Sequence, residues 1–542
     1  MLSMLLNPSR QGELFPQLAA RWIARARVVI AIATSATLLT LALPPADLGV
    51  LAFIALVPLV IVCREARPMK AAAIGFVFGV ASSLGIFHWL LEVPSIGAVQ
   101  MAVLASYVAL YPALWCALQP VLLRSPLPWT LTAAAAWAVV ETLRSHAGFL
   151  ALPWANLAHT QHENLALMQL ASVTGEAGVA FVVVLVNAAL TEFWVTRRTR
   201  PLAAVAAVVA LLHVGGFVAL AKAASGPTLT VAAIQPVIAV GERATPAQRA
   251  ATWQRLEALT LEAAQARPAL IVWPETAIPD PLLADELAQR LADLAQRTGA
   301  TLVVGAAEVE KFAARTADGT LALRTRETHN AAYLIAPQTP PAEPYRKRRL
   351  VPFAEYLPLV GRFDWPAWLV KPALAHLQAG PTVPPRWSLP DGTRIAALIC
   401  WENLFASLAH AAVGDGARVL VQLTNDAWFG HSAAARQHNL ASVLRAVENR
   451  VPVVTASNTG PSQVIDARGR VVAALDEMFV AGFAVASVPT GIGPTVFQKT
   501  RGAGSAVALL LTAAALCLGR REATPANSQA QSIDSPVSRS RS

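Results

Sequence analysis

Three short segments carry side chains that together could make and break a thioester. Trp273-Pro274-Glu275-Thr276-Ala277 offers a carboxylate. Tyr345-Arg346-Lys347-Arg348-Arg349-Leu350-Val351-Pro352-Phe353, followed by Glu355-Tyr356, offers an ammonium at Lys347. Ile399-Cys400-Trp401-Glu402-Asn403 offers a thiol. A thiol attacks as its thiolate. A carboxylate whose pKa burial has raised can take the thiol proton, and an ammonium can hold the oxyanion of an acyl-transfer intermediate. Taken singly, each group has a plainer reading. Cys400 could be a core residue after an apolar strand, Glu275 could open a helix, and the basic run could be a solvated or lipid-facing surface. One detail favours chemistry in the basic run. Only 6 of the 43 basic residues are Lys, yet one of them stands at 347 among arginines, and a compact point charge does a different job from a guanidinium fork.

The surrounding sequence says what would hold these groups. Apolar, β-rich runs at Thr228–Gln235, Ala269–Trp273, Thr301–Ala306, Ala331–Ala336, Ile395–Ile399, Val419–Leu423 and Val453–Ser457 read as strands. Amphipathic stretches near 246–265, 281–297, 402–412 and 433–449 read as helices. The alternation predicts a layered α/β domain over 228–500, with each of the three segments at a strand end, where open α/β sheets bind ligands. Cys63, Cys116 and Cys517 lie in or beside apolar runs, so Cys400 has no disulfide partner within this domain. No His/Cys/Asp spacing reads as a metal site, and His438 falls on a helix of the polar domain.

The rest of the chain is lipid-like. Hydrophobic residues make up 55% of the 542 and charged residues 14%, against about 25% charged in a typical soluble domain. Mean hydropathy is +0.49. This excludes a disordered, fibrous or ordinary water-soluble chain. Apolar runs near 27–43, 49–63, 71–91, 97–123, 128–144, 174–195, 201–221 and 503–519 predict about eight membrane-spanning helices. Leu43-Pro44-Pro45-Ala46-Asp47 reads as a turn after a retained helix, not as a signal-peptide cleavage site. The net charge of +10 fits a membrane surface better than nucleic acid, because the basic residues flank the apolar runs. The tail and alternate loops carry Arg10, Arg21, Arg25, Arg27, Arg64, Arg67, Lys70, Arg124, Arg197, Arg198 and Arg200, and the opposite loops carry none. That bias puts both termini in the cytoplasm and residues 228–500 outside. The expected division is a cytoplasmic tail over 1–26, a bundle of seven helices over 27–222, the polar domain over 228–500, an eighth helix over 503–519, and a disordered cytoplasmic tail over 520–542. The runs are nearly free of mid-membrane charge, which disfavours a transporter. Asn187 and His213 are expected to pack helices together and not to bind ligands.

The three segments resemble the nitrilase (carbon–nitrogen hydrolase) superfamily and, within it, the apolipoprotein N-acyltransferase family. Further residues carry this: Thr424-Asn425-Asp426-Ala427-Trp428-Phe429-Gly430, Arg445-Ala446-Val447-Glu448-Asn449, Ser457-Asn458-Thr459-Gly460, and, in the apolar part, Leu41 to Pro45, Leu143-Arg144-Ser145 and Pro153-Trp154. The resemblance implies a polytopic α-helical membrane bundle of about eight helices joined to an αββα sandwich. It implies Glu275 as proton acceptor, Lys347 as oxyanion stabiliser and Cys400 as nucleophile, supported by Glu355 and by Trp401 and Glu402 beside the nucleophile, where the family often has Tyr in place of Trp401. It also implies a membrane phospholipid as acyl donor, the N-terminal amine of a diacylglyceryl lipoprotein as acceptor, a place in the bacterial inner membrane with the catalytic domain periplasmic, and no cofactor, metal or nucleic acid. A membrane-tethered amidase whose acceptor is water would use the same three groups. The chain departs from the family after Gln235, where Pro236-Val237-Ile238-Ala239 lacks the usual Asn, Gln and Trp, leaving Trp253 as a possible stand-in; Ala354 replaces a usual Gly. Strands near 350–380, with Leu357, Leu359, Phe363, Trp365, Trp368 and Leu369, are expected either to dip into the bilayer as a mobile arm or to pack on the domain.

Overall fold

The computed structural model describes residues 8–521 except 95, 223–225, 240–244, 279–284, 316–320, 340, 367, 371–375, 491–492 and 501. The tail expected to be disordered falls, from residue 522 on, outside the described residues.

The first part is helical: α1 (Pro8–Leu41), α2 (Val57–Cys63), α3 (Pro68–Ile86), α4 (Ala98–Leu122), α5 (Trp129–Ser145), α6 (Glu176–Thr196) and α7 (Thr199–Ala221). Among the described residues, five stretches are long and apolar enough to cross a membrane: Ala19–Leu41, α3, α4, α6 and α7. Gly49–Cys63 and Ala503–Gly519 are shorter apolar helices. Helix α1 begins at Pro8, far ahead of the expected start at 27. Its intervening alanines and arginines are good helix formers, so nothing ends the helix between. The 49–63 run is broken into a 3-10 turn (Gly49–Leu51), Ala52–Ala55 and α2. At the break the Leu56 N–H donates to Asn187 Oδ1 at 2.8 Å, and Asn187 Nδ2 donates back to Ala52 O at 2.8 Å. The buried Asn187 thus serves backbone groups that a continuous helix would have paired internally, which is the helix-packing role expected of it.

Residues 228–489 form two six-stranded sheets with strands β1 (Thr228–Gln235), β2 (Leu270–Val272), β3 (Thr301–Arg315), β4 (Leu321–Ile335), β5 (Tyr345–Arg346), β6 (Trp387–Ser388), β7 (Arg394–Ile399), β8 (Val419–Thr424), β9 (Val453–Ser457), β10 (Ser462–Ile465), β11 (Val471–Leu475) and β12 (Gly482–Pro489). The strand orders are β12-β1-β2-β3-β4-β5 and β11-β10-β9-β8-β7-β6. Alternate residues divide between the faces. Val231, Ala233, Val272, Val303 and Leu334 of one sheet meet Ile395, Ile399, Val421, Leu423 and Val454 of the other. Ala232, Ile234, Ile271, Leu302 and Val304 face outward against α8 (Pro246–Ala263) and α9 (Asp285–Thr298) through Leu256, Leu291 and Leu294. Thr245 caps α8: its Oγ1 accepts the Gln248 N–H and Gln248 Oε1 accepts the Thr245 N–H, with Pro246 at the first position.

The outer face of the second sheet carries α10 (Ala406–Gly414) and α11 (Ala434–Asn449). Their core runs without interruption into that of the helical part: Leu398, Leu420, Leu440 and Leu444 belong to one cluster with Phe78, Trp115 and Leu185. Helix α12 (Ala503–Arg521) follows the sandwich and packs Ala508 against Ala135 and Ala138 of α5. The 350–380 stretch contains no strand among its described residues, contrary to expectation. Closely spaced prolines at 352, 358 and 366 deny a ladder its N–H donors, and the segment is held instead by turns and by Trp365, which packs edge-on to Phe353 and Phe363.

Candidate active site

The three segments converge where strands of both sheets end. Glu275 follows β2 by three residues and is 7% exposed. Its Oε1 accepts from Asn330 Nδ2 at 2.6 Å and Lys347 Nζ at 3.3 Å, and its Oε2 accepts the Asn425 backbone N–H at 3.0 Å. Lys347, directly after β5, is 1% exposed, and its Nζ donates to Glu355 Oε1 at 2.8 Å. Glu355 Oε2 in turn accepts the Val351 N–H at 2.7 Å. The site therefore presents a buried ammonium between two carboxylates, one of them with a second carboxylate oxygen turned toward the β8 end.

Cys400 closes β7 with φ +55°, a left-handed conformation that is uncommon for a residue with a side chain. The turn is pinned by Glu402, which is fully buried. Glu402 Oε2 accepts the Ile399 N–H at 2.8 Å and the Tyr345 hydroxyl at 2.9 Å, while Oε1 accepts the Arg348 and Arg349 N–H groups at 2.8 and 2.9 Å. One carboxylate thus fixes the cysteine turn to the segment that carries Lys347. Trp401 adds a second tie, its Nε1 donating to Arg349 O at 2.6 Å. Glu402 and Trp401 orient the site through the backbone.

The electrostatics couple these groups. Burial and the nearby negative charge of Glu275 push the Cys400 thiol well above its ordinary value, with Lys347 pulling the other way. Burial alone would lower the Lys347 ammonium, but Cys400, Glu355 and Glu275 outweigh it and hold the group well above its usual range. The resting arrangement is therefore a neutral thiol and a charged ammonium beside the Glu275 carboxylate. A nucleophile, a base and a fixed cation at one strand-end cluster suit nucleophilic acyl transfer.

Beneath this layer Asp426 Oδ2 accepts from the Ser457 hydroxyl at 2.9 Å, and Asp426 Oδ1 lies 3.1 Å from His438 Nδ1. The His438 ring stacks on Trp154 from the helical part with centroids 5.2 Å apart. Asn330 and the Asn425 N–H are the contacts to Glu275 that the sequence reading left without a role. Asn330 sits one residue outside the expected strand, and a buried Asn heading an apolar strand was the signal. Trp253 does not reach the site. It packs against Trp273 at 5.8 Å in the outer layer under Arg290. Away from the site, Asp47, His162 and Glu163 bring ligand atoms within 4.8 Å of one another, where His162 Nε2 already lies 3.3 Å from Asp47 Oδ2.

A cavity of about 610 Å³ opens beside the cysteine turn. Its walls include Leu350, Tyr356, Leu357, Trp401 and Phe405 of the sandwich and Phe149 of the helical part.

Comparison with known proteins agrees with this architecture. A carbon-nitrogen hydrolase family model matches residues 230–489, and the apolipoprotein N-acyltransferase N-terminal domain matches residues 35–189. The chain is 35% identical to an apolipoprotein N-acyltransferase of Geobacter metallireducens over 81% of this chain and 85% of the relative. It is also 35% identical to one from Rhizobium meliloti over 76% and 78%. Among solved structures, the Saccharomyces cerevisiae Nit3 protein of the nitrilase superfamily is 17% identical, covering 57% of this chain and 98% of that one, with a TM-score of 0.37. At 35% identity over at least three quarters of this chain and of both relatives, this protein belongs to the apolipoprotein N-acyltransferase family.

Proposed function

We propose that the protein transfers a fatty acyl chain from a membrane phospholipid to the free N-terminal α-amine of an S-diacylglyceryl-cysteine on an apolipoprotein, through a thioester on Cys400. The observation that carries this reading is the meeting of Glu275, Lys347 and Cys400 in one strand-end cluster, next to a cavity that Trp401 of the cysteine turn lines and whose mostly apolar walls the sandwich and the helical part share.

In the first half-reaction Glu275 takes the Cys400 proton and the thiolate attacks an ester carbonyl of the donor. Lys347 holds the oxyanion, the lysophospholipid leaves as its alcohol with the proton from Glu275, and a thioester remains. In the second, the acceptor amine attacks that thioester, Glu275 receives the amine proton and returns it to the departing sulfur, and an amide forms. This is ping-pong covalent catalysis.

A membrane setting fits both substrates. Extracting a chain from lipid costs about 0.8 kcal/mol per CH₂, a cost avoided by a site held at the interface. The Lys/Arg bias of the loops supports an inner-membrane protein with its sandwich on the periplasmic side and both termini inside. The 350–380 arm supports the same placement: Trp368 is 61% exposed, and the Gln100 side chain of α4 donates to Trp368 O at 2.9 Å, tying the arm to the helical part.

The test is intact mass of the purified protein after exposure to phospholipid, followed by addition of a diacylated lipopeptide. The expected result is an acyl adduct on Cys400 that is discharged to give triacylated peptide. An adduct that survives in Cys400→Ala, or discharge only to free fatty acid in the presence of acceptor, would overturn the reading; the latter would identify an amidase-like hydrolase.

A further inference from the structure

The basic run 346–349 divides into three uses, and only two are explained by the site above. Arg346 forms a bidentate pair with Glu308, its Nη2 to Glu308 Oε1 at 2.7 Å. Lys347 is held by Glu355 and Glu275. Arg348 and Arg349 have no carboxylate within 4 Å among the described residues, although both are only partly exposed. Both line the 610 Å³ cavity, whose other walls are mostly apolar. The Arg349 guanidinium lies 4.7 Å from the Phe405 ring centroid, so an aromatic face and not an anion is its neighbour. Two half-buried guanidinium groups with no counter-ion among the described residues, at one side of a mostly apolar cavity, form a receptor for a phosphate attached to acyl chains, because the planar fork donates N–H groups to phosphate oxygens in pairs.

We propose that Arg348 and Arg349 are the subsite for the phosphate of a phospholipid, holding it in the cavity while an ester carbonyl lies at Cys400. This deepens the function proposed above and rests on it for the identity of the donor. Position supports the link: Trp401, the residue after the nucleophile, donates to Arg349 O at 2.6 Å, so phosphate site and cysteine turn are braced together. The backbone N–H groups of both arginines are used by Glu402, which leaves their side chains free to serve a ligand while the main chain stays fixed.

The test uses the full chain in detergent micelles. In a Cys400→Ala background, native mass spectrometry measures retention of phosphatidylethanolamine, of diacylglycerol with the same chains, and of inorganic phosphate. The expected result is that phosphatidylethanolamine is retained over diacylglycerol, and that Arg348→Ala/Arg349→Ala lowers its retention by about tenfold or more while diacylglycerol is unchanged, the scale of losing a charge-assisted contact. With Cys400 intact, the same double variant should raise the apparent KM for phospholipid by a similar factor with kcat little changed, and Arg349→Lys should recover part of the loss. Equal loss of both lipids, or no loss, would overturn the subsite. Inorganic phosphate held as strongly as the lipid would overturn its assignment to a lipid phosphate. Arginine-dependent retention in a protein that forms no acyl adduct would keep the subsite and reject the reaction. If the alanine variant does not fold, Arg348→Gln/Arg349→Gln keeps a polar side chain without the charge and gives the same readout.

Discussion

Lys347 and Glu355 form the shorter of two ion pairs at one ammonium: Nζ lies 2.8 Å from Glu355 Oε1 and 3.3 Å from Glu275 Oε1. The closer partner carries most of the burden of a buried positive charge, which would otherwise be costly. Glu275 takes the longer contact to the ammonium and shares its oxygens with Asn330 and the Asn425 N–H. Glu355→Gln removes that balance. Lys347 would then lean on Glu275 alone and make it a poorer base. We expect acyl-enzyme formation to slow by about ten- to a hundredfold, within the range typical of general-base catalysis, with the protein still folded. Single-turnover mass spectrometry of the Cys400 adduct measures this, and an unchanged rate would remove Glu355 from the site.

The thiol gives a pH prediction whose sign is fixed by its neighbours. Burial and the negative charge of Glu275 raise the Cys400 pKa, and Lys347 lowers it. Direct alkylation by iodoacetamide, which needs the thiolate but no base, should therefore climb with pH past the ordinary thiol range. Glu275→Gln should move the alkylation profile to lower pH while abolishing acyl transfer, since a group that raises the pKa is gone but so is the base. Lys347→Met should move it higher and cost acyl transfer roughly a hundredfold or more, as loss of one oxyanion donor does. Cys63 and Cys116 are buried, and a Cys517→Ser background removes the exposed competitor. A profile that Glu275→Gln leaves in place would mean the two groups are not in contact in solution.

Glu275 and Cys400 could be picked out of the sequence because each sits where a strand's apolar run stops, whereas Lys347 follows the two-residue strand Tyr345–Arg346, which no apolar run announces. The strands at Thr228–Gln235 and Val453–Ser457 have the limits expected of them, since most of their residues, from Val231 to Gln235 in the first and throughout the second, are buried on both faces. Helix 402–412 starts later, at Ala406, because Cys400–Leu404 is a tight 3-10 turn built around the buried Glu402. No periodicity signals such a turn. β5, β6, β10, β11 and β12 lie outside the expected strands; β5 and β6 are only two residues long, and β11 and β12 alternate weakly with small, partly exposed side chains such as Ala473, Ala486 and Ser487. Their place is set by pairing, β12 running antiparallel to β1 from Gly482 opposite Gln235 to Pro489 opposite Thr228. Contacts such as Asn330 to Glu275 join residues 55 apart in sequence, and spacing cannot show them.

One buried amide gathers several of the polar contacts between sandwich and helical part. Gln437 of α11 is 2% exposed. Its Oε1 accepts from the indoles of Trp89 and Trp154, both at 3.1 Å, and its Nε2 donates to Pro44 O at 2.9 Å and Ile86 O at 3.3 Å. Four groups from three separate segments of the helical part meet on a side chain of the sandwich. Gln437→Leu keeps the volume and strands those buried partners, each worth about 1–3 kcal/mol when left unpaired. We expect earlier thermal unfolding in detergent. Equal stability of the leucine variant and the parent would show that the junction does not depend on this amide.

Gly305 tests whether the Glu275 bend tolerates displacement. It lies on β3 beside the Pro274–Thr276 turn, and a Cβ at this position would fall 2.8 Å from Glu275 Cα and 2.8 Å from the Thr276 N, besides overlapping Pro274 O. All three are backbone atoms, so the added methyl cannot be met by a rotamer change. The turn has little freedom of its own, since Thr276 already holds φ +44°. Gly305→Ala must therefore push the Glu275 backbone outward. A displacement of about 1 Å at a positioned group costs on the order of a hundredfold in rate, while the strand's Val303 and Ala306 remain in the core. Acyl-enzyme formation should fall by that order with alkylation of Cys400 still possible, because the cysteine turn hangs on Glu402 from the other sheet. If Gly305→Ala forms the acyl-enzyme at the parent's rate, the carboxylate at 275 is not held by this bend, and its role as the proton acceptor loses its structural basis.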